Sequence, residues 1–389
     1  MELLEVIKPK HLTFGLIGDI IAVERGIMMK NEYSVQVLPL KPELIDINYF
    51  FEELIDASAK LEVYKEKLKD SKVSSSWFMP TLQQKEALAS SLLEGTQATL
   101  DGVLINEVTP NEKDKNLNEI KNYYVATVRG YEYLKKHDFS DEFFFEMHRT
   151  LMDGNVRKPK TVGAFRTKQN FIGRNDQSHA ITFIPPDPQN VEPLMDNLIQ
   201  YMNEANDKLR PLVQIAIIHA QFETIHPFMD GNGRVGRLLI PMYLFFKKQI
   251  ELPCFFISEA LERDKIRYYA LLNGIRYENE WNEWIRFFLE TVEKQCDKYI
   301  EMITEINKLY EQHLEVAREL ARSSHIVDIM NLLYQHPVTT AKQIAEETDI
   351  PLTSINRYLN MLVENKILYS DRKSRNRNYF YFALLDILR

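Results

Sequence analysis

HPFMDGNGRVGR, residues 226–237, concentrates a histidine, an aspartate, an asparagine, two arginines and three glycines in one short run. Its flanks decide what it is. Upstream, PLVQIAIIHAQFETI (211–225) is apolar and too long for an ordinary strand, so it reads as a buried helix. Pro227 disfavours helical geometry at His226, which ends that helix near Ile225. Downstream, RVGRLLIPMYLFFKK (234–248) resumes a helix, with Pro241 expected to kink it. The run is therefore a loop between two helices, with its glycines at the start of the second.

At a helix N-terminus, unpaired backbone N–H groups and the positive end of the dipole attract anions. Gly231 and Gly233 let the backbone approach a ligand closely and adopt positive φ. Asn232 is suited to bond a phosphate oxygen. The guanidiniums of Arg234 and Arg237, on either side of Val235 and Gly236, supply bidentate charge. Asp230 has the wrong sign for a phosphate unless it holds Mg²⁺ between itself and that phosphate. His226, just before the cradle, is a residue type that takes a proton near neutral pH. Phe228 reads as a buried anchor positioning it. An anion cradle, a metal ligand, charge clamps and a base point to phosphoryl or nucleotidyl transfer. GNGRVG also fits the glycine spacing of dinucleotide-binding loops, but those follow a strand and the flanks here are helical. A merely polar helix–helix turn does not account for the histidine, the phenylalanine and both arginines together.

The 389 residues suffice for two or three domains, and 45% apolar with 27% charged residues is ordinary for a soluble globular protein. A net charge of −8 gives no global pull toward nucleic acid or anionic membrane, so such a partner needs a local patch. Cys254 and Cys296 stand far apart and outside any metal spacing, as expected in a reducing compartment. The opening MELLEVIKPK lacks the apolar core of a signal peptide. The longest apolar runs fall short of the ~20 residues that span a bilayer. These features lead to the expectation of a cytoplasmic protein.

Helical periodicity is read over 49–68 and again over 80–95, where Pro80 and Thr81 open the helix and Gly95 stops it. A Ser-rich break (71–77) and a polar linker (108–116) flank the second. Helical patterns dominate from 117 to about 319, interrupted at 163–188 by GAFRTKQNFIGRNDQSHAITFIPPDP, which reads as a β-hairpin around a polar tip. His148, His179 and His219 have no metal-spaced partners and are assigned to core or surface. Trp281 and Trp284 fit helix packing. From Ser323 two short helices, a tight turn, the basic stretch DRKSRNRN and an alternating strand NYFYFAL suggest a winged helix-turn-helix. Its recognition helix, about 352–364, presents Thr353, Ser354, Asn356 and Arg357; its wing carries Arg372, Lys373, Arg375 and Arg377. That patch suits DNA phosphates. Winged helices also serve protein contacts and dimerisation, and a homodimer stays open beside DNA.

HPFMDGNGRVGR is similar, at every specified position, to the signature of the Fic family, HxFx(D/E)GNGRxxR. The likeness runs over roughly 80–290. NEIKNYYVA (118–126) and EMHRTLM (146–152) resemble the helices that open the Fic core. The 163–188 hairpin resembles the flap that aligns a target segment, and RYYALL (267–272) the stretch beside the nucleotide base. The resemblance implies a protein adenylyltransferase: a Ser, Thr or Tyr hydroxyl of a target protein attacks the α-phosphate of ATP, releasing pyrophosphate (AMPylation). It makes His226 the base and Asp230 the Mg²⁺ ligand. Gly231, Asn232 and Gly233 hold the α-phosphate, with Arg234 and Arg237 on the outer phosphates and Val235 and Gly236 between them. Tyr268 or Tyr269 flanks adenine. Gly233 favours nucleotidyl transfer, because the kinase-like Doc branch carries a bulky basic residue there. Ser90, Glu94 and Gly95 match (S/T)xxxE(G/N), the pattern of the family's inhibitory helix. Glu94 stands at a helix C-terminus, where the dipole disfavours an anion, and a cation from elsewhere resolves this. In the family that cation is the one matching Arg237.

The expected fold is mainly α: a Fic-fold helical core with a β-hairpin flap, an N-terminal helical domain and a C-terminal winged helix-turn-helix. The expected boundaries are 1–110 for the N-terminal domain, with its inhibitory helix at about 81–95, 111–300 for the core, 301–322 for a helical linker and 323–389 for the winged helix. Residues 1–35 receive no assignment. Removal of AMP, or transfer of another phosphate-containing group, stays open. So does a DNA-binding regulator whose core acts as a sensor, although intact His226, Asp230 and both arginines argue against it.

Overall fold

The computed structural model describes residues 17–22, 27–32, 35–71, 73, 75–111, 114–154, 161–174, 181–205, 207–371, 373 and 376–389. The architecture is mainly helical. Strands β1 (Ile17–Ala22) and β2 (Ile27–Glu32) form an antiparallel hairpin in the N-terminal stretch for which the sequence pattern predicts no element. Helices α1 (Phe51–Lys69) and α2 (Ser75–Leu93) follow. α2 begins before Pro80, contrary to the expectation that Pro80 opens it. Pro80 lies one turn inside, where its missing N–H forfeits one backbone bond, and the Ser-rich stretch is partly helical. Residues 81–91 of α2 are all buried, because the helix lies among elements of the core and of the winged helix.

The core continues with α3 (Leu100–Val108), α4 (Lys115–Leu134) and α5 (Asp141–Leu151). Asp114 and Ser140 cap the N-termini of α4 and α5 with their side chains. The flap strands β3 (Ile172–Arg174) and β4 (Ile181–Phe183) pair antiparallel, with Arg174 opposite Ile181. The flap tip, with His179, lies outside the described residues. Then come α6 (Val191–Glu204), α7 (Pro211–Ile225) and α8 (Asn232–Phe246). α7 starts with Pro211 at its first position and is buried from Leu212 to Ile225. α6, α8, α10 (Lys265–Glu278) and α11 (Trp281–Ala321) pack around it, while α9 (Ser258–Arg263) rests on α2. At 41 residues α11 is roughly 60 Å long, and it runs unbroken from the core to the C-terminal elements. Trp281 and Trp284 are buried in the packing role expected of them; Trp284 Nε1 donates to the Ala216 carbonyl at 2.8 Å.

The C-terminal unit comprises α12 (His325–Gln335), β5 (Val338–Thr340), α13 (Ala341–Glu346), α14 (Leu352–Glu364), β6 (Tyr369–Ser370) and β7 (Asn378–Phe380). Its antiparallel sheet has the order β5-β7-β6. This is a winged helix-turn-helix. The strand expected over NYFYFAL stops at Phe380, and α15 (Phe382–Leu388) takes over because Leu384, Leu385 and Leu388 bury one helical face. Arg372 and Arg375 of the wing lie outside the described residues. α12 packs on α2, and β5 on α3. Among the described residues no helix is long and apolar enough to cross a membrane.

Candidate active site

α7 ends at Ile225, and His226 follows with φ 49° and ψ 60°. This left-handed backbone differs from the extended geometry that a following proline favours. Hydrogen bonds over-determine it: the His226 N–H donates to the Phe222 carbonyl at 2.9 Å, and Arg166 Nε donates to the His226 carbonyl at 2.9 Å. Such a residue costs about 1–3 kcal/mol and persists only where its surroundings hold it. Phe228 is fully buried and stacks on the His148 ring at 4.0 Å, as an anchor should.

Asn232 departs from its expected role. Its Oδ1 accepts from the Phe228 N–H at 2.7 Å and its Nδ2 donates to the Phe228 carbonyl at 2.8 Å. Buried and engaged at both ends, this amide closes the loop and is not presented to a phosphate. Gly231 caps α8 with φ 78°. Asp230 is exposed, with Oδ1 accepting from the Gly231 N–H at 2.7 Å. Among the described residues, no three His, Cys, Asp or Glu side chains converge as a metal site.

Glu94 lies over the N-terminus of α8. A Cβ on Gly233 would stand 2.3 Å from Glu94 Oε1 and 2.9 Å from Arg237 Nη1, so a side chain there displaces the pair. Arg237 is fully buried; its Nη2 donates to Glu94 Oε1 at 2.6 Å and to the Ser90 carbonyl at 2.9 Å, and its Nε to Ser90 Oγ at 2.8 Å. Burial pushes the Glu94 carboxyl up, but the Arg237 guanidinium outweighs it and holds the group below its ordinary value. Lys265 Nζ donates to the Leu93 carbonyl at 2.9 Å, placing a second cation at the end of α2. Arg234 is buried and poorly paired. Nη2 reaches only Met152 Sδ at 3.6 Å, Nη1 lies 3.8 Å from Glu119 Oε1, and Nε and Nη1 make no hydrogen bond among the described residues. Leaving such donors unpaired is costly, and phosphate oxygens are their natural complement.

Burial, reinforced by Arg276 and Arg166, pushes the His226 imidazole down to about 3. It is therefore neutral at physiological pH, the form a base needs. Tyr268 is fully buried, its hydroxyl 2.9 Å from His219 Nε2, while His219 Nδ1 meets the Gly236 carbonyl at 2.9 Å. Tyr268 belongs to the core, which corrects its assignment beside adenine and leaves Tyr269. Tyr269 is 37% exposed, its hydroxyl 3.4 Å from the Leu93 carbonyl at the end of α2. Val235 is buried in the core, and Gly236 packs against Glu223 and Phe222.

Three supporting residues, Arg166, Arg276 and Asn170, are not singled out by the sequence pattern, and a fourth, His148, is placed in the core, one of the two places expected of it. Arg166 also donates to the Ile225 carbonyl at 3.4 Å, and Arg276 Nη2 to the Glu223 carbonyl at 2.9 Å, so two guanidiniums crown the C-terminus of α7. Asn170 Nδ2 donates to the Phe228 carbonyl at 2.7 Å. His148 Nδ1 accepts from the Gly163 N–H at 2.9 Å, so its Nε2 carries the proton and donates to the Asp230 carbonyl at 3.0 Å. Together they tie the flap segment to the loop. A lone arginine within the apolar GAFRT stretch was the available signal.

The fold and loop define a Fic domain joined to a winged helix. Residues 109–244 match the Fic/DOC family, 51–132 the Fic/DOC family N-terminal, and 318–368 a winged helix-turn-helix DNA-binding family. The chain thus carries a Fic/DOC family domain, preceded by the N-terminal module of that family and followed by a winged helix. It is 28% identical over 247 residues to the protein adenylyltransferase Fic of Drosophila persimilis, covering 62% of this chain and 44% of that protein. To the protein of the same name in Drosophila melanogaster it is 27% identical over 241 residues, covering 61% and 44%. The match thus spans less than half the length of these curated relatives. A Fic family protein from Desulfovibrio desulfuricans G20 shares the fold with a TM-score of 0.59 at 20% identity, over 88% of this chain and 98% of that one. A Fic domain containing signaling protein from Bacteroides thetaiotaomicron VPI-5482 does so with a TM-score of 0.53 at 20% identity, over 64% and 97%.

Proposed function

We propose that this chain is a protein adenylyltransferase held in an inhibited state by Glu94. The observation that carries the reading is the contact of Glu94 with Arg237 above Gly233, at the helix terminus built to receive an anion. The cradle's own chemistry supports ATP as substrate: Arg234 has donors that no described residue satisfies, and Arg237 becomes a second clamp when Glu94 withdraws. A target hydroxyl attacks the α-phosphorus, its proton passes to His226, the bond to the β-phosphate oxygen breaks, and pyrophosphate leaves. His226 Nδ1 is the buried nitrogen, which assigns proton abstraction to Nε2. Asp230, exposed at the loop, fits Mg²⁺, which takes one carboxylate together with phosphate oxygens and water. When bound, the ion neutralises charge on the departing phosphates. Both cysteines are buried free thiols, which suits a reducing, cytoplasmic setting.

The relatives' name, protein adenylyltransferase Fic, supports the same reaction class. Incubation with ATP labelled at the α-phosphate, followed by mass spectrometry of the chain and of added lysate, tests it. AMP-sized adducts on hydroxyl residues are expected, and more of them from Glu94→Gly. The winged helix carries a second proposed role, contact with DNA. Its family match is to DNA-binding modules, and α14 and the wing leave Thr353, Arg357 and Lys373 exposed.

A further inference from the structure

Glu223 lies one turn before His226 on α7, inside the core. It is 5% exposed, yet its Oε1 makes no hydrogen bond among the described residues. His226 Nδ1, also buried, makes no full hydrogen bond there either, although the Glu223 backbone carbonyl comes close enough to favour the protonated ring. The two groups face each other, with Glu223 Oε2 4.0 Å from Nδ1. The packing reserves space for this carboxyl: a Cβ on Gly236 of α8 would stand 2.3 Å from Glu223 Oε1. A buried carboxyl oxygen without a partner, beside a buried imidazole nitrogen that meets only a loosely placed backbone carbonyl, is costly unless the two side chains meet.

We infer that Glu223 is the positioning residue of the base, accepting a hydrogen bond from His226 Nδ1–H during the reaction. This inference rests on the transferase reading. The bond fixes the tautomer in which Nε2 is free to take the hydroxyl proton, and the carboxylate stabilises the imidazolium once that proton arrives. A turn of either side chain closes the remaining gap. The charged groups around the pair are Glu94, Arg237 and Arg276 for Glu223, and Glu94, Arg276 and Arg166 for His226. Burial raises the Glu223 carboxyl to about 7, with Arg237 opposing that rise and the Glu94 charge adding to it. Withdrawal of Glu94 therefore favours the ionised Glu223 that the role requires.

The test uses the full chain carrying Glu94→Gly, with Glu223→Gln and Glu223→Asp added singly. Gln preserves shape and removes charge, whereas Asp preserves charge and shortens reach. The expected result is a kcat at least tenfold lower for Glu223→Gln with the KM for ATP within twofold, and better retention of kcat by Glu223→Asp. The acid limb of the kcat profile moves to lower pH in Glu223→Gln, since the carboxyl that must ionise near 7 for full activity is no longer there. Equal or better activity of the Gln variant overturns the inference, because packing alone predicts that order. The His226 ring signals, followed by NMR in the nucleotide-free chain, are read separately and are expected to shift with a midpoint near 7 as Glu223 ionises, a step that Glu223→Gln removes. Absence of that midpoint in the parent, or its persistence in Glu223→Gln, overturns the inference whatever the kinetics. If Glu94→Gly transfers no AMP at all, the transferase reading fails, and the midpoint still decides whether Glu223 supports His226.

Discussion

At Arg237, one guanidinium is shared between the proposed inhibition and the proposed catalysis. Its three bonds to Ser90 and Glu94 use the donors that an outer phosphate of ATP would need. Removing the carboxylate releases the clamp, so Glu94→Gly is expected to raise AMP transfer at least tenfold, which requires only about 1.4 kcal/mol at the transition state. Arg237→Ala removes the clamp with the inhibitor, and the double variant is expected to match Arg237→Ala alone. Initial rates at saturating ATP check this; an active double variant would place the γ-phosphate elsewhere. Ser90→Ala deletes the Oγ acceptor but leaves the Ser90 carbonyl and Glu94 in place. A rise of a few fold, well below that of Glu94→Gly, is expected in the same assay. Should Glu94→Gly leave transfer unchanged but abolish release of AMP from a modified target, Glu94 orients a hydrolytic water and the chain chiefly removes AMP.

α7 shows how one buried helix supports both site and stability. Burial lowers His219 to about 4, with Arg237 adding to the shift, so the folded chain keeps it neutral while the unfolded chain protonates it near its ordinary value. The unfolded state binds more protons between about 4 and 6.5, so this contribution is complete above 6.5 and fades as pH falls through that window. His219→Gln is expected to be destabilised at pH 7.5, with the deficit relative to the parent shrinking toward pH 5. Urea unfolding at both values measures the difference, and a constant deficit would contradict it. Helices α7 and α8 were legible in the sequence because an apolar run, a proline and a glycine-rich N-terminus each have a local physical cause. The start of α2 was not, because tertiary packing of its buried length offsets the bond missing at Pro80. Nor was the inward turn of Asn232, which answers the backbone of Phe228 and not its neighbours in sequence. Tyr268 and Tyr269 were indistinguishable as a pair until α10 placed one of them on His219.

Across the whole molecule, α2 is clasped from two sides. It carries Ser90 and leads into Glu94 at the loop, while α12 of the winged helix packs along it. Gln84 and Glu86 anchor it further, Gln84 to Glu107 of α3 and Glu86 to the Tyr123 hydroxyl at 3.0 Å and the Ser258 N–H at 3.2 Å. Helix α2, proposed above to inhibit, is thus part of the core and not a loose appendage. If the winged helix binds DNA phosphates, affinity of the full chain for duplex DNA falls steeply with salt. Replacing Arg357, Lys373 and Arg377 then reduces the slope by about one for each phosphate that is no longer neutralised. Salt-independent retention, or an unchanged slope, would reassign that face to protein partners. The central claim, that the 226–237 loop transfers AMP with His226 as its base, is tested most directly in the Glu94→Gly chain. Transfer from α-labelled ATP is followed by mass spectrometry, with and without His226→Ala, alongside ATP affinity by calorimetry. The account predicts loss of AMP adducts with nearly unchanged ATP affinity, because a base acts in the transition state and not on ground-state phosphates. Near-normal adduct formation by the His226→Ala chain would contradict it.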